Sequence, residues 1–120
     1  MKYRESQEMY LETILLLTKR GGVVRSIDVA NELNYSRASV SRAVSLLVDK
    51  GLVVVNRGAI VLTDSGKLHA EEIYLRHEVI TQVLMHLGAS QAVAEDNACR
   101  IEHVITPELV QIMKNFLQSN

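Results

Sequence analysis

Cys99, Glu102 and His103 stand at i, i+3 and i+4 in the run Asn97-Ala98-Cys99-Arg100-Ile101-Glu102-His103. On a helix this spacing sets all three side chains on one face. A thiolate, a carboxylate and an imidazole gathered there form a donor set for a divalent transition metal. Each residue taken singly has an ordinary reading: a lone cysteine packs as a small hydrophobe, and a Glu-His pair decorates a solvated helix face. The spacing gives the trio its meaning. Cys99 is the only cysteine among the 120 residues. It therefore serves no internal disulfide, and such sparing use of cysteine fits a reducing compartment.

The elements that must position this trio are helical. Ser90 is a good N-cap for a helix of about 91–104. A long helix is expected from Thr63 or Asp64 to about Leu87, stopped by Gly88. Thr106-Pro107-Glu108 opens a last helix with a cap, a proline at the first position and an acid near the positive end of the helix dipole. Leu109, Ile112, Met113, Phe116 and Leu117 give that helix an apolar side. So much apolar surface in a short chain predicts a two-fold homodimer through residues 90–118.

The first half reads as a DNA-binding module. An amphipathic helix over 5–20, with Tyr10, Ile14 and Leu17 on one stripe beside Leu11 and Leu15, ends at Gly21-Gly22. Ser26 caps a short helix over 27–33, and Asn34-Tyr35 turns the chain. Ser36 caps a helix over about 37–50, with Val40, Val44, Leu47 and Val48 inward, and Gly51 closes it. Leu52–Asn56 and Ala59–Thr63 form a small hairpin about Arg57-Gly58. Helix, helix, turn, helix, hairpin is the order of a winged helix-turn-helix. The fold class is mainly α with a small β-hairpin. Residues 1–64 form the DNA-binding domain, and residues 65–120 a metal-binding and dimerisation helical domain.

Arg37, Ala38, Ser39, Ser41 and Arg42 face outward from the start of the third helix, where arginine reads guanine and Ala38 meets a thymine methyl. Ser36 and the free amides of that helix start favour a phosphate. Arg25 and Arg57 flank the reader and suit backbone contacts, which position without specifying sequence. Net charge is −1. Its distribution says more: residues 19–57 hold seven basic against three acidic groups. The expected partner is a double-stranded DNA operator.

Other classes are excluded by what the chain lacks. It shows no Gly-rich phosphate loop and no nucleophile motif, so neither an enzyme nor a small organic substrate is expected. The start of the chain is unlike a signal peptide, and no apolar run approaches bilayer length, so no membrane association and a cytoplasmic location are expected. With 48% apolar residues, no tryptophan and one phenylalanine, Leu, Val, Ile and Ala must build the core. A winged-helix regulator not controlled by metal, with Cys99 and His103 merely packed, is the alternative reading.

Several ordered motifs carry a resemblance over nearly the whole chain. They are Glu8-Met9-Tyr10-Leu11, Gly51-Leu52-Val53-Val54-Val55, Leu62-Thr63-Asp64-Ser65-Gly66, Arg76-His77, and Ala98-Cys99-Arg100 with Glu102-His103-Val104. In these the chain resembles the metal-dependent repressors of the diphtheria toxin repressor and manganese transport regulator family, in a short form without the SH3-like third domain. The resemblance implies an iron-type activating site made by Met9, Cys99, Glu102 and His103. It implies a second, ancillary site from Glu12 and His77, with Glu95, although Thr81 replaces one acid of the iron-type pattern. Manganese-type members carry an Asp where this chain has Met9 and a Glu where it has Cys99. Thioether and thiolate are soft ligands, so Fe(II) is the expected metal, Mn(II) the second choice, and Co(II), Ni(II) or Zn(II) ligands in vitro. The implied function is repression of metal-uptake genes when metal is plentiful, with the ion joining the first helix to the dimerisation part. His69 and His86 are expected on the surface.

Overall fold

The computed structural model describes the backbone of residues 2–119 and the side chains of residues 7–119. The helices are α1 (Lys2–Arg20), α2 (Ser26–Leu33), α3 (Arg37–Asp49), α4 (Asp64–His86), α5 (Gln91–Ile101) and α6 (Pro107–Ser119), with strands β1 (Val53–Asn56) and β2 (Ala59–Leu62) between α3 and α4. The described residues are therefore mainly α with one antiparallel hairpin. Among the described residues no helix is long and apolar enough to cross a membrane.

Two compact units divide the chain, Lys2–Glu71 and Glu72–Asn120. The divide falls inside α4, seven residues beyond the 64/65 boundary read from the end of the hairpin. The first turn of α4 stays with the first unit, packed on the Gly51-Leu52 link between α3 and β1. A Cβ built on Gly66 would lie 1.8 Å from the Leu52 carbonyl oxygen, so only glycine allows the approach. Thr63 ties the same corner, donating to the Gly51 carbonyl at 2.7 Å and accepting from the Gly66 amide at 3.0 Å.

In the first unit, α1 contributes Tyr10, Leu11, Ile14 and Leu15 to the core. Val29 and Ala30 join from α2, Val40, Val44 and Leu47 from α3, and Val53 and Ile60 from the hairpin. The strands pair from Val53↔Leu62 to Asn56↔Ala59. Arg57 and Gly58 make the two-residue turn with φ of 52° and 81°, both left-handed as a tight hairpin of natural twist requires. The Ile60 amide reaches the Val24 carbonyl at 2.8 Å, fastening the wing to the segment before α2.

In the second unit, Ile73, Val79, Ile80 and Val83 of α4 are buried, with Ala94 and Ala98 of α5 and Val110 of α6. Ser90 caps α5 by accepting the Val93 amide at 3.3 Å, and Thr106 likewise accepts the Leu109 amide before α6. His86 meets Phe116 edge-on at 5.7 Å between ring centroids, linking α4 to α6. Val104, Leu109, Ile112 and Phe116 remain exposed.

Four local expectations are corrected. First, α1 begins at Lys2 rather than residue 5. Second, the cap of α2 is Arg25 rather than Ser26: the Asp28 carboxylate reaches back to the Arg25 amide at 2.8 Å, so the helix gains a residue at its start. Third, Val48 is 40% exposed rather than inward, because the core is closed by Leu47 beside it. Fourth, α5 stops at Ile101 instead of running to about 104, since the Val104 amide turns to the Ile101 carbonyl in a tighter i→i+3 bond.

Candidate metal centre and nucleic-acid face

The early end of α5 leaves its spacing intact where it matters. Glu102 is the C-cap, with φ −58° and ψ −26°, and its amide still bonds the Ala98 carbonyl at 2.9 Å. Cys99 and Glu102 therefore keep the i, i+3 relation of a helix face. His77 comes from the middle of α4. Its Nδ1 lies 3.2 Å from Glu102 Oε1 and 3.9 Å from Cys99 Sγ. The three donor atoms lie within 4.8 Å of one another. Donors bound at ordinary zinc-like distances to one tetrahedral ion are about 3.3–3.8 Å apart, so a small inward movement would suffice. His103 Nε2 stands 4.0 Å from the same Oε1, with its side chain 10% exposed.

Burial sharpens the case. The Glu102 side chain is fully buried, and among the described residues its Oε2 has no hydrogen-bond partner. A buried carboxylate oxygen left unsatisfied is costly, and a cation is one partner that relieves it. His77 is pushed up from its ordinary 6.5 to about 10, first by its hydrogen bond to Cys99 and then by Glu102, against the opposing effect of desolvation. A positive charge is what this pocket stabilises. The donor set of one sulfur, one imidazole nitrogen and a carboxylate with a free oxygen fits a divalent transition metal.

His77 is expected from the sequence in a separate site with Glu12 and Glu95; in the structure it lies beside Cys99 and Glu102. Glu95 is exposed and accepts from Gln91 Nε2 at 3.1 Å. It lies outside the three-donor group. Thr81 donates to the His77 carbonyl within α4 at 2.8 Å. In the first unit, Met9 is half-buried on α1 with its sulfur 3.9 Å from the Tyr35 hydroxyl, and Glu12, one turn on, is buried. His69 and His86 are both exposed, as expected, with the His86 ring edge-on to Phe116. Arg76 was given no role by its sequence. Its Nη1 donates to the Glu102 carbonyl at 2.8 Å, and its place next to His77 is the one signal the sequence offered.

The start of α3 is ordered by its own hydroxyls. Ser36 Oγ accepts the Ser39 amide at 3.1 Å and bonds Ser39 Oγ at 2.9 Å, which in turn accepts from Arg42 Nη2 at 3.4 Å. Arg37, Ala38, Ser41 and Arg42 are exposed. Ser41 and Arg42 line a shallow depression with Ser45 and Leu46. Arg25 donates through Nη1 to the Arg57 carbonyl at 3.0 Å, so the two flanking arginines are joined at the wing turn.

Residues 2–59 match the family model described as the N-terminal DNA binding domain of the iron dependent repressors. Residues 63–120 match the metal binding and dimerisation domain of the same repressors. The transcriptional regulator MntR of Escherichia coli O6:H1 is 29% identical over 118 residues, which is 98% of this chain and 76% of the relative. Two solved structures align well. The manganese regulator SloR gives a TM-score of 0.82 at 27% identity, over 95% of this chain and 54% of that one. IdeR of T. acidophilum gives 0.80 at 26%, over 92% and 53%. The chain spans about half the length of these two proteins.

Proposed function

The chain belongs to the iron dependent repressor family, and we propose that it binds a palindromic operator as a homodimer when Fe(II) is plentiful and then represses metal-uptake genes. The observation that carries this reading is the meeting of His77, Cys99 and the buried, half-satisfied Glu102 carboxylate. These three residues would hold the ion, with His103 beside them. Bound there, the metal would supply a fixed divalent charge where a proton on His77 otherwise serves. The thiolate favours Fe(II) over Mn(II). Mn(II) is the second reading, supported by the relatives named for manganese.

The chain's own residues do the rest. Cys99 and Glu102 tie the end of α5 to His77 on α4, and α4 begins at the corner closed by Thr63 and Gly66, directly after the wing. Arg37, Ser39, Ser41 and Arg42 would read the major groove, with Ser36, Ala38, Arg25 and Arg57 around them. The exposed apolar residues Leu109, Ile112 and Phe116 suit the dimer face. Selection from a random pool of duplex DNA, done anaerobically with Fe(II), should enrich an inverted repeat that a chelator releases. Equal enrichment with and without metal would overturn the reading.

A further inference from the structure

Arg76 and His77 are adjacent on α4, and both engage Glu102. His77 meets its carboxylate, while Arg76 donates through Nη1 to its main-chain carbonyl at 2.8 Å, across 26 residues of sequence. The acceptor is a helix-end carbonyl, one of those that helical geometry leaves without an intrahelical partner. A guanidinium donor makes this bond charge-assisted and stiffer than a neutral one. It fixes the backbone of the residue at which α5 ends, and that residue carries the buried carboxylate.

We propose that Arg76 is the positioning residue of the metal centre, holding the Glu102 main chain so that its carboxylate faces His77 and Cys99. This rests on the metal reading above. Arg76 has no lone pair to offer a cation and is not itself a ligand. Its effect passes through Glu102, as hydrogen bonds behind metal ligands commonly do, at about 10–100-fold in affinity.

The test is an anaerobic Co(II) titration of the full chain, read in the thiolate-to-cobalt charge-transfer band and in the ligand-field bands. The wild-type chain should show both. R76A should keep the charge-transfer band, since Cys99 is untouched, but bind about 10–100-fold more weakly with altered ligand-field bands. R76K, which keeps a charged donor, should recover much of the loss. Wild-type affinity and bands in R76A would overturn the proposal. Should R76A fail to fold, R76Q carries the test: weakened binding with shifted bands supports the proposal, and unchanged binding overturns it. Absence of the charge-transfer band in the wild-type chain would instead overturn the metal reading itself.

Discussion

If His77, Cys99 and Glu102 hold the ion as proposed, loading the site must expel a proton from His77. In the metal-free protein Cys99 and Glu102 hold that imidazole at about 10, so at pH 7 it is protonated and no lone pair is available on Nδ1. A metal ion competes with the proton for the same nitrogen. Apparent affinity should therefore rise about tenfold, or about 1.4 kcal/mol, for each pH unit from this residue alone. Calorimetry with Co(II) at pH 7, in buffers of different ionisation enthalpy, counts the protons released: about one or more for the wild type, and about one fewer for His77→Ala. The same shift governs the metal-free fold. Because the folded value lies above the ordinary 6.5, the stability His77 contributes is complete below pH 6.5 and is lost as pH climbs through about 10. Solvent reaching the exposed Cys99 side makes the loss smaller than the full shift would give. Metal affinity that is flat between pH 6.5 and 8 would refute the reasoning.

Arg37→Ala and Arg42→Ala should each weaken operator binding by about 1–3 kcal/mol where the arginine reads a base, or lower the salt slope by about one where it meets a phosphate. Metal affinity without DNA should not move; unaltered operator affinity in gel shifts would mean that α3 is not the reader. Gly66→Ala must displace the Leu52 backbone, which lies 1.8 Å from the new Cβ, and should destabilise the fold by about 1–3 kcal/mol or more in denaturant unfolding. An unchanged midpoint would show that the corner yields freely. Ile112→Glu places a charge on a side chain 56% exposed in the single chain, so it should spare the fold but shift sedimentation from dimer to monomer. A dimer that survives the change would move the interface off α6.

Local chemistry was legible in the sequence wherever one residue type settles the matter. Ser36, Ser90 and Thr106 cap their helices by accepting amides three residues on, and Arg57-Gly58 makes the wing turn. Expectation failed where neighbours compete within one turn. Asp28 recruits Arg25 as the cap of α2 in place of Ser26, and Leu47 fills the space that leaves Val48 outside. The grouping of donors was legible only in part. Cys99 and Glu102 share a face because a single helix sets their spacing. His77 is 22 residues earlier on another helix, and periodicity does not say which face of α4 meets α5. Arg76 was hidden for the same reason, since a bond to a carbonyl leaves no trace in residue spacing.

The two charged groups in the cluster make the metal-free site a compromise. Glu102 is fully buried with one oxygen answered by His77 and the other by nothing among the described residues. An apolar residue of similar volume would commonly serve stability as well or better in such a place. Retaining a carboxylate there makes sense if its partner is sometimes absent. A proton on His77 supplies only one positive charge, and it leaves Oε2 unmatched. A divalent ion supplies two and can satisfy sulfur, nitrogen and oxygen together. The difference between those two fillings is the free energy available to favour one arrangement of α4 and α5 over others, and an ion can shift that equilibrium by no more than this difference. About 1–3 kcal/mol is enough for a 5–150-fold change in operator affinity, and the same factor must return as tighter metal binding on the operator. The Glu102 oxygen that has no hydrogen-bond partner among the described residues is where an ion would add most to the metal-bound filling.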